Sequence, residues 1–369
     1  MTYFSHDDIA GLKKYKYSGV DKSILSNKLL NPYWWTNLVK IFPLWFAPNL
    51  VTLTGFFFVL TNLSTLLYLQ PHLNQPLDNF YYYTFAFGLF AYQSLDAIDG
   101  KQARRTGTSG PLGELFDHGC DALNTGILVF LVCSAIDLGQ GWEMVVMFIS
   151  GLANFYLTTW EEYHTGTLFL SFISGPVEGI LLICVVFIVS GMYSPSFWSV
   201  NKIYDFPLNQ FLMLCGIFVV GFNIFTSVGN VKQSKLAKKE YNLKFLLGLV
   251  PFIIFSLTIL IWLNLSPTLL KVHLVKFLAG MTLLFGYQVG LIILSHICKR
   301  KHFPYISVPF MVASVIGLSF TAYLKFLRME NRNIHPALML KDNVEENFLY
   351  LEDWLLTDYV KFLILIALP

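Results

Sequence analysis

Long apolar stretches separated by short polar segments dominate the pattern along the chain. Ten of these stretches reach or approach the roughly 20 residues that a helix needs to span a bilayer. Their predicted cores are 49–69, 80–99, 114–137, 142–160, 176–193, 209–229, 246–264, 273–297, 305–323 and 348–367. Charged residues interrupt the tenth, so we expect a shorter or tilted helix there. The pattern predicts an all-α polytopic membrane protein with about ten transmembrane helices.

Two segments precede the first predicted span. Residues 1–31 are polar and are typical of a cytosolic N-terminal tail. Residues 32–47 are rich in tryptophan, but Lys40 and Pro43 interrupt them, and the segment is too short and too mixed to span a membrane. Such a composition suits a helix that lies in the headgroup region. We therefore predict an interfacial amphipathic helix over 32–47.

Composition agrees with a membrane protein and excludes some partners. Of the 369 residues, 55% are hydrophobic and 13% are charged, against about 25% charged residues in soluble globular domains. The formal net charge of +2 provides no basic field for a nucleic acid. The five cysteines are scattered without paired spacing, which indicates buried thiols and not a cysteine zinc site or a disulfide framework.

The distribution of basic residues predicts the orientation. If the lysine-rich N-terminus is cytosolic, alternation of the spans places three basic clusters on the cytosolic side, as the positive-inside rule requires. These clusters are Lys101 with Arg104 and Arg105, the 232–244 loop, and residues 299–301. The basic residues of a predicted loop at 324–345 disagree with this arrangement. With ten spans, both termini are expected in the cytosol.

Acidic residues concentrate in one window, where apolar helices meet. Asp96, Asp99, Asp117 and Asp121 lie next to or within apolar runs, where a carboxylate is costly unless it is paired or bound to metal. The first pair has i, i+3 spacing and the second has i, i+4 spacing, so each pair shares one helix face. Pro111 fits the first position of the second helix. The window predicts a divalent metal site, and oxygen ligands of this kind suit Mg²⁺ or Mn²⁺.

Arg104 adds a phosphate-binding group to this window. Divalent ions held by carboxylates, together with arginine, bind and activate phosphate esters. The chain contains neither a P-loop nor a GxGxxG motif. We therefore expect metal and side chains to hold the phosphate, and Gly100 and Gly113 to leave room for the ligand.

The spacing of this window resembles a family signature. The pattern D-x2-D-G-x2-A-R-x8-G-x3-D-x3-D, from Asp96 to Asp121, is similar to the CDP-alcohol phosphotransferase signature at all eight of its positions. Residues 43–56, the run that begins at Pro111, and residues 154–170 resemble the eukaryotic choline/ethanolamine phosphotransferase branch, with its fungal members foremost. The likeness covers most of residues 10–180 and is weaker afterwards.

The resemblance implies a reaction and an environment. The family transfers a phospho-alcohol from its CDP conjugate to an acceptor hydroxyl and releases CMP. In this branch the acceptor is diacylglycerol and the product is phosphatidylcholine or phosphatidylethanolamine. Members have ten transmembrane helices, are typically dimers, and occupy the endoplasmic reticulum or the Golgi. The implied division is a catalytic core over 48–230, with a dimer or lipid-access region over 231–369.

The resemblance also implies roles for particular residues. The signature aspartates hold two divalent ions, so Asp96, Asp99, Asp117 and Asp121 are expected metal ligands, and Asp121 is also the family's usual base. The nucleotide pocket is expected to contain Asn49, Gly100, Ala103, Arg104 and Gly113.

A second candidate base comes from elementary acid–base chemistry. The acceptor hydroxyl must lose a proton to a group within hydrogen-bond reach, and a metal-bound aspartate is a weakened base. His118, with an ordinary pKa near 6.5, is the alternative, and Glu114 one turn earlier is expected to orient its ring. Both residues would then be catalytic. In the competing interpretation, His118 only fixes Asp117 or Asp121.

Two other functions remain as alternatives. The same signature serves enzymes that use CDP-diacylglycerol with a soluble alcohol acceptor, although those relatives are usually shorter. A cation-coupled transporter would also place acids in a membrane, but it predicts inverted repeats and broken helices, which we do not find. The choice between choline and ethanolamine stays open, because both donors carry the same diphosphate.

Overall fold

The computed structural model describes residues 4–170, 175–239 and 242–334, and most of them are helical. The α-helices are α1 (His6–Lys13), α2 (Thr36–Ile41), α3 (Pro48–Leu69), α4 (Asn79–Thr106), α5 (Pro111–Ala135), α6 (Trp142–Thr165), α7 (Pro176–Tyr193), α8 (Ser196–Val200), α9 (Leu208–Ala237), α10 (Val250–Leu265), α11 (Pro267–Lys271), α12 (Leu274–Ile297) and α13 (Val308–Ile334). A π-helix (Ser26–Trp35) precedes α2, and a 3₁₀ helix (Leu243–Leu249) precedes α10. The predicted all-α class is confirmed.

Short strands form two small sheets at the edges of the helical bundle. β1 (Gly19–Asp21) pairs in parallel with β2 (Leu168–Leu170), and β3 (Lys202–Ile203) pairs antiparallel with β4 (Phe206–Pro207). The first sheet joins the N-terminal region to the chain that follows α6. This strand pairing therefore helps to hold the N-terminal residues in place.

Six helical segments of the described part are long and apolar enough to cross a membrane. They are α3, α5, α7, α9, α12 and the continuous 3₁₀–α10 segment. Helices α4 and α6 are also long enough to cross a membrane. They are not among the six, because charged residues near one end make them more polar. The first nine predicted cores fall on helices. The tenth, 348–367, lies outside the described residues, so the total of ten stays a prediction.

One prediction about the C-terminal region is wrong in its boundary. The loop expected from residue 324 begins later, because α13 continues to Ile334. Residues 335–345 of that predicted loop lie outside the described part of the chain. The helix continues because residues 324–334 contain neither proline nor glycine, the two strongest helix breakers.

The helices pack as a bundle whose polar ends lie together. α3 packs on α4, α4 on α7, α5 on α12 and α6 on α9. Four of the described helices begin with proline at the first position, namely α3, α5, α7 and α11, where its missing N–H costs nothing. Gly107 and Gly166, with φ of 70° and 80°, end α4 and α6 in the left-handed conformation. We call this end of the bundle the site face.

The segment predicted to be an interfacial helix is helical with different bounds, and its place at the membrane surface stays a prediction. Helical structure runs from Ser26 to Ile41 and stops before Pro43, so it begins and ends earlier than the predicted 32–47. Trp35 is buried whereas Trp45 is 81% exposed. The side-chain amide of Gln102 on α4 donates to the carbonyls of Pro43 (2.9 Å) and Phe46 (3.0 Å). Polar groups of α4 thus hold this segment against the bundle.

Part of the predicted polar tail, residues 1–31, is docked on the site face. We call residues 6–23 the strap. Arg300 binds Asp8 with two N–H donors at 2.7 and 3.0 Å, and Lys299 donates to the carbonyl of Lys14 at 2.9 Å. β1 adds backbone pairing with β2. A few contacts therefore dock the strap on the helix ends, while most of its side chains stay exposed to solvent.

The Asp8–Arg300 pair is charged across the physiological range. The Arg300 guanidinium holds the pKa of the Asp8 carboxyl well below its usual range. A carboxyl with a depressed pKa stabilises the folded state above its ordinary pKa, and this contribution is lost as the pH falls towards the folded value. The contact is therefore intact at neutral pH and fails only in acid.

We predict that Asp8→Asn releases the strap at neutral pH, because the variant keeps the shape of the side chain and removes its charge. Hydrogen exchange of the strap amides is expected to accelerate several-fold, measured by mass spectrometry in detergent. The exposed neighbour provides the control, since Asp7→Asn leaves the Arg300 contact intact. Equal exchange in both variants would contradict the docking role.

Candidate active site

The α4–α5 hairpin brings the predicted acidic residues together. Asp96 and Asp99 lie near the end of α4, and Asp117 and Asp121 lie near the start of α5. Carboxylate oxygens of the first three lie within 4.8 Å of one another. All four side chains are half-buried. Because Gly107 ends α4 and Pro111 starts α5, the two pairs face the same space.

Neighbouring hydroxyls hold two of these carboxylates and leave other oxygens unpaired. Thr52 donates to Asp99, and Tyr92 donates to Asp121. One oxygen each of Asp96 and Asp117 is shielded from solvent and has no hydrogen-bond partner among the described residues. Unpaired buried oxygens are costly, and a set of carboxylates suits hard divalent ions. The residues present therefore fit Mg²⁺ or Mn²⁺.

A single cavity of about 1140 Å³ opens beside these aspartates. Every residue predicted for the site lines it: Asn49, Asp96, Asp99, Gly100, Ala103, Arg104, Gly113, Glu114, Asp117, His118 and Asp121. These residues come from α3, α4 and α5. The structure thus brings together all eleven positions, while their individual roles stay predictions.

Two glycines leave open space in the wall of this cavity. A Cβ added at Gly100 would have Arg104 Nη1 as its nearest neighbour, at 3.7 Å. A Cβ added at Gly113 would meet only Asn49 Oδ1, at 3.9 Å. Both distances are ordinary van der Waals contacts, so no atom of the described residues requires glycine at either position. The open space is consistent with the close approach of a ligand.

The cavity changes character away from the aspartates. Apolar side chains of α5, α7 and α9 line its far part, among them Leu128, Val132, Ile183, Leu212 and Val219. The polar part at the site face suits a charged, water-soluble group. The apolar part between transmembrane helices suits a hydrocarbon chain. One continuous space can therefore hold a charged ligand and a lipid together.

Glu114, which is expected to orient the ring of His118, has its hydrogen bond elsewhere in this structure. The Glu114 carboxylate accepts from the Tyr15 hydroxyl of the strap and lies 3.7 Å from His296. His118 Nδ1 is shielded from solvent and has no hydrogen-bond partner among the described residues. Tyr15 thus binds one oxygen of Glu114, and the orientation of the His118 ring by Glu114 stays a prediction.

Tyr15 serves this site as a neutral donor. Burial, followed by its hydrogen bond to Glu114, raises the pKa of the Tyr15 hydroxyl above its ordinary value. The hydroxyl therefore keeps its proton at physiological pH and donates to the carboxylate. In this way the strap closes one side of the cavity with a hydrogen bond.

Comparisons with known proteins agree with this geometry. The family model described as CDP-alcohol phosphatidyltransferase matches residues 45–220. Cholinephosphotransferase 1 of Saccharomyces cerevisiae is 36% identical over 356 residues, which cover 91% of this chain and 89% of that protein. Choline/ethanolaminephosphotransferase 1 of the same yeast is 35% identical over 359 residues, with 92% and 90% covered. Choline/ethanolaminephosphotransferase 1 of Arabidopsis thaliana is 39% identical over 323 residues, with 81% and 80% covered.

The chain belongs to the CDP-alcohol phosphatidyltransferase family. The family match runs from before α3 into α9 and includes every predicted site residue. Membership in a family of transferases sets aside the transporter alternative. It also agrees with the likeness to choline/ethanolamine phosphotransferases that the sequence pattern indicated.

In this CDP-alcohol phosphatidyltransferase family member, the structure adds four site residues that sequence reasoning missed. Two of them could have been found from helical spacing in the sequence. Thr52 lies three residues after Asn49, and Tyr92 lies four residues before Asp96. Each therefore shares a helix face with a predicted site residue. No sequence pattern indicates Tyr15 and His296, since only the folded chain brings them to Glu114.

We predict that Thr52→Val weakens metal binding, because the Asp99 carboxylate loses the donor that orients it. Loss of such an outer-shell partner typically costs roughly 10–100-fold in metal affinity. The Mg²⁺ concentration for half-maximal activity measures the effect. Thr54→Val is the matched control, since that hydroxyl donates to the carbonyl of Leu50 and not to an aspartate. Identical metal dependence in the two variants would contradict the role of Thr52.

Proposed function

We propose that this protein transfers phosphocholine or phosphoethanolamine from the CDP-alcohol to the hydroxyl of diacylglycerol and releases CMP. The observation that carries the proposal is the continuous cavity, which joins a carboxylate-rich polar end to an apolar end between transmembrane helices. The names of the yeast and plant relatives support the same reaction class.

The polar end is the proposed site of the CDP-alcohol. Arg104 supplies a guanidinium for the diphosphate, and Asn49 supplies a polar contact opposite Gly113. The cavity wall has small residues at Gly100, Ala103 and Gly113. They leave space for the nucleotide to approach the helix backbone. The donor thereby lies with its phosphates against the aspartates.

The aspartates are the proposed ligands of two divalent ions. Asp96, Asp99, Asp117 and Asp121 would hold Mg²⁺ or Mn²⁺, with Thr52 and Tyr92 fixing two of the carboxylates. Ions bound there would neutralise the negative charge of the phosphoryl oxygens. The protein's own part is to place these four acids on two helices that a short turn holds together.

The transfer itself makes and breaks one bond at phosphorus. The diacylglycerol oxygen bonds to the β-phosphorus, the bond from that phosphorus to the bridging oxygen breaks, and CMP departs with the bridging oxygen. The acceptor proton goes to a base in the cavity. We assign this role to His118, whose Nδ1 has no hydrogen-bond partner among the described residues. Asp121 is the rival, although it accepts a hydrogen bond from Tyr92.

The diacylglycerol is proposed to enter from the bilayer through the apolar end. Helix α9 supports this route, because only a small part of its apolar length is buried against the rest of the protein, while Leu212 and Val219 line the cavity. A diacylglycerol molecule that moves along α9 into the cavity would bring its hydroxyl group to the aspartates.

The positions of basic residues and the solubility of the donor indicate how the protein is oriented in the membrane. Basic residues gather at the site face, where Lys238, Lys299 and Arg300 line one small cavity, so the positive-inside rule favours a cytosolic site. A water-soluble CDP donor also requires that orientation. We propose location in the endoplasmic reticulum or the Golgi, and a homodimer in which residues 231–369 contribute to the contact or to lipid access.

We predict activity of the purified protein in detergent–lipid micelles with Mg²⁺ and diacylglycerol. CDP-choline and CDP-ethanolamine are offered separately, and the lipid product and CMP are quantified. Product from either donor is the expected result, and the ratio gives the headgroup preference. Asp99→Ala is expected to abolish turnover.

Two results would contradict the proposed function. Normal turnover by Asp99→Ala would exclude the metal assignment. Absence of product from both donors, with activity instead on CDP-diacylglycerol and inositol, would place the chain among the enzymes with a soluble acceptor.

We predict that His118→Ala lowers the rate by about 10²–10⁴-fold, the usual contribution of a general base. The Mg²⁺ dependence is expected to stay unchanged, because the histidine is not an assigned metal ligand. Asp121→Asn is the comparison and is expected to change both the rate and the Mg²⁺ dependence. A wild-type rate in His118→Ala across the pH range would leave Asp121 as the base.

A further inference from the structure

A second group of ligand-type side chains lies beside the aspartates on the site face. Glu114 of α5, Glu162 of α6 and His296 of α12 bring two carboxylate oxygens and an imidazole nitrogen within 4.8 Å of one another. Glu114 is 7% exposed and Glu162 is 3% exposed. Three separate helices supply these groups, and none of the three residues belongs to the aspartate set.

The spacing of two of these groups fits an intervening ion. His296 Nε2 and Glu114 Oε1 are 3.7 Å apart, beyond the 2.7–3.2 Å or so of an N–H···O hydrogen bond. Neighbouring ligands of a tetrahedral zinc ion, with bonds near 2.0–2.1 Å, are about 3.3–3.4 Å apart. Glu114 Oε1 is shielded from solvent and has no hydrogen-bond partner among the described residues. A small inward movement would let both atoms contact one metal ion.

The charge of the cluster also favours a cation. Two carboxylates this close repel each other, and burial makes the repulsion costly. Within the described residues, neither Glu114 nor Glu162 forms an ion pair with a lysine or an arginine. A single divalent ion would neutralise both carboxylates and use the unpaired oxygen of Glu114.

The surroundings supply an outer shell and an access route. The Tyr15 hydroxyl donates to the other oxygen of Glu114, as outer-shell partners of metal ligands commonly do. Glu114 and Glu162 line the main cavity, which gives an ion a route from that side and space for a water ligand. His296 lines a separate cavity of about 300 Å³ on the other side.

The imidazole decides which metal suits this cluster. Mg²⁺ prefers oxygen ligands, as in the aspartate site, whereas imidazole suits Zn²⁺ and its neighbours among the transition metals. Zn²⁺ has no electronic preference for one geometry, and it accepts histidine together with carboxylates. Two metal sites of different ligand chemistry would then lie in one cavity wall.

We propose that Glu114, Glu162 and His296 bind Zn²⁺ at a site separate from the aspartates. The ion joins the site-face ends of α5, α6 and α12, and through Tyr15 it joins the strap to them. It also fixes Glu114 in the wall of the main cavity. The proposal concerns metal binding and does not depend on the identity of the reaction.

The test uses the full chain purified in detergent, stripped of metal and then kept in excess Mg²⁺ to occupy the aspartates. Zn²⁺ is titrated against a competing chelator, and zinc K-edge X-ray absorption is recorded at one equivalent. We expect one Zn²⁺ per chain with imidazole among its ligands. The same binding is expected in Asp99→Ala, so failure of the aspartate site and failure of this proposal are distinguishable.

Matched variants locate the site. Glu162→Gln and His296→Gln are expected to weaken Zn²⁺ binding by more than the roughly 10–100-fold that loss of an outer-shell partner costs, and His296→Gln removes the imidazole signal. Glu161→Gln and His302→Gln are the controls, because Glu161 pairs with Asn230 and His302 is exposed. Their binding is expected to equal that of the wild type.

The wild-type measurement keeps the proposal falsifiable if a variant fails to fold. An all-oxygen zinc environment in the wild type, or no Zn²⁺ retained in excess Mg²⁺, would overturn the proposal. Equal Zn²⁺ affinity in all four folded variants would do the same. In each of those cases a shared proton, and not a metal ion, would join the two carboxylates.

Discussion

The cost of placing carboxylates at membrane depth is the constraint on which the rest of this structure depends. Four aspartates on two apolar helices repel one another and avoid hydrocarbon, so they require cations and fixed hydroxyl donors. The tight turn between α4 and α5, the hydroxyls of Thr52 and Tyr92, and the polar end of the cavity all meet that requirement. The apolar remainder of the helices then provides a place for a lipid beside a charged site.

Much of this arrangement could be predicted from the sequence because its signals are local. Hydrophobic length predicts the spans, and i, i+3 and i, i+4 spacing predicts that each aspartate pair shares a face. Pro111 and the glycine that ends α4 mark the turn between them. All eleven predicted site residues line one cavity for this reason, since they lie on three helices that are consecutive in the chain.

The remainder depends on contacts between distant residues, which no local pattern records. Glu114 lies four residues before His118, but its partners come from residues 15 and 296. The strap has the composition of a tail, and its docked position depends on contacts with distant residues, among them Arg300, Lys299 and β2. The helical segment before α2 begins at Ser26, next to Ser23 and Leu25, which donate hydrogen bonds to Glu178 of α7. Hydropathy does not record such contacts.

The strap has a consequence for how the chain is made. Its residues leave the ribosome before the helices that they contact, since the partner of Asp8 is Arg300 and Tyr15 binds Glu114 beside His296 of α12. These contacts have very large sequence separation, and such contacts form late because loop closure must precede them. The strap therefore docks only after α12 and Arg300 have been synthesised. A partly synthesised chain holds its acidic residues in the membrane without the strap across them.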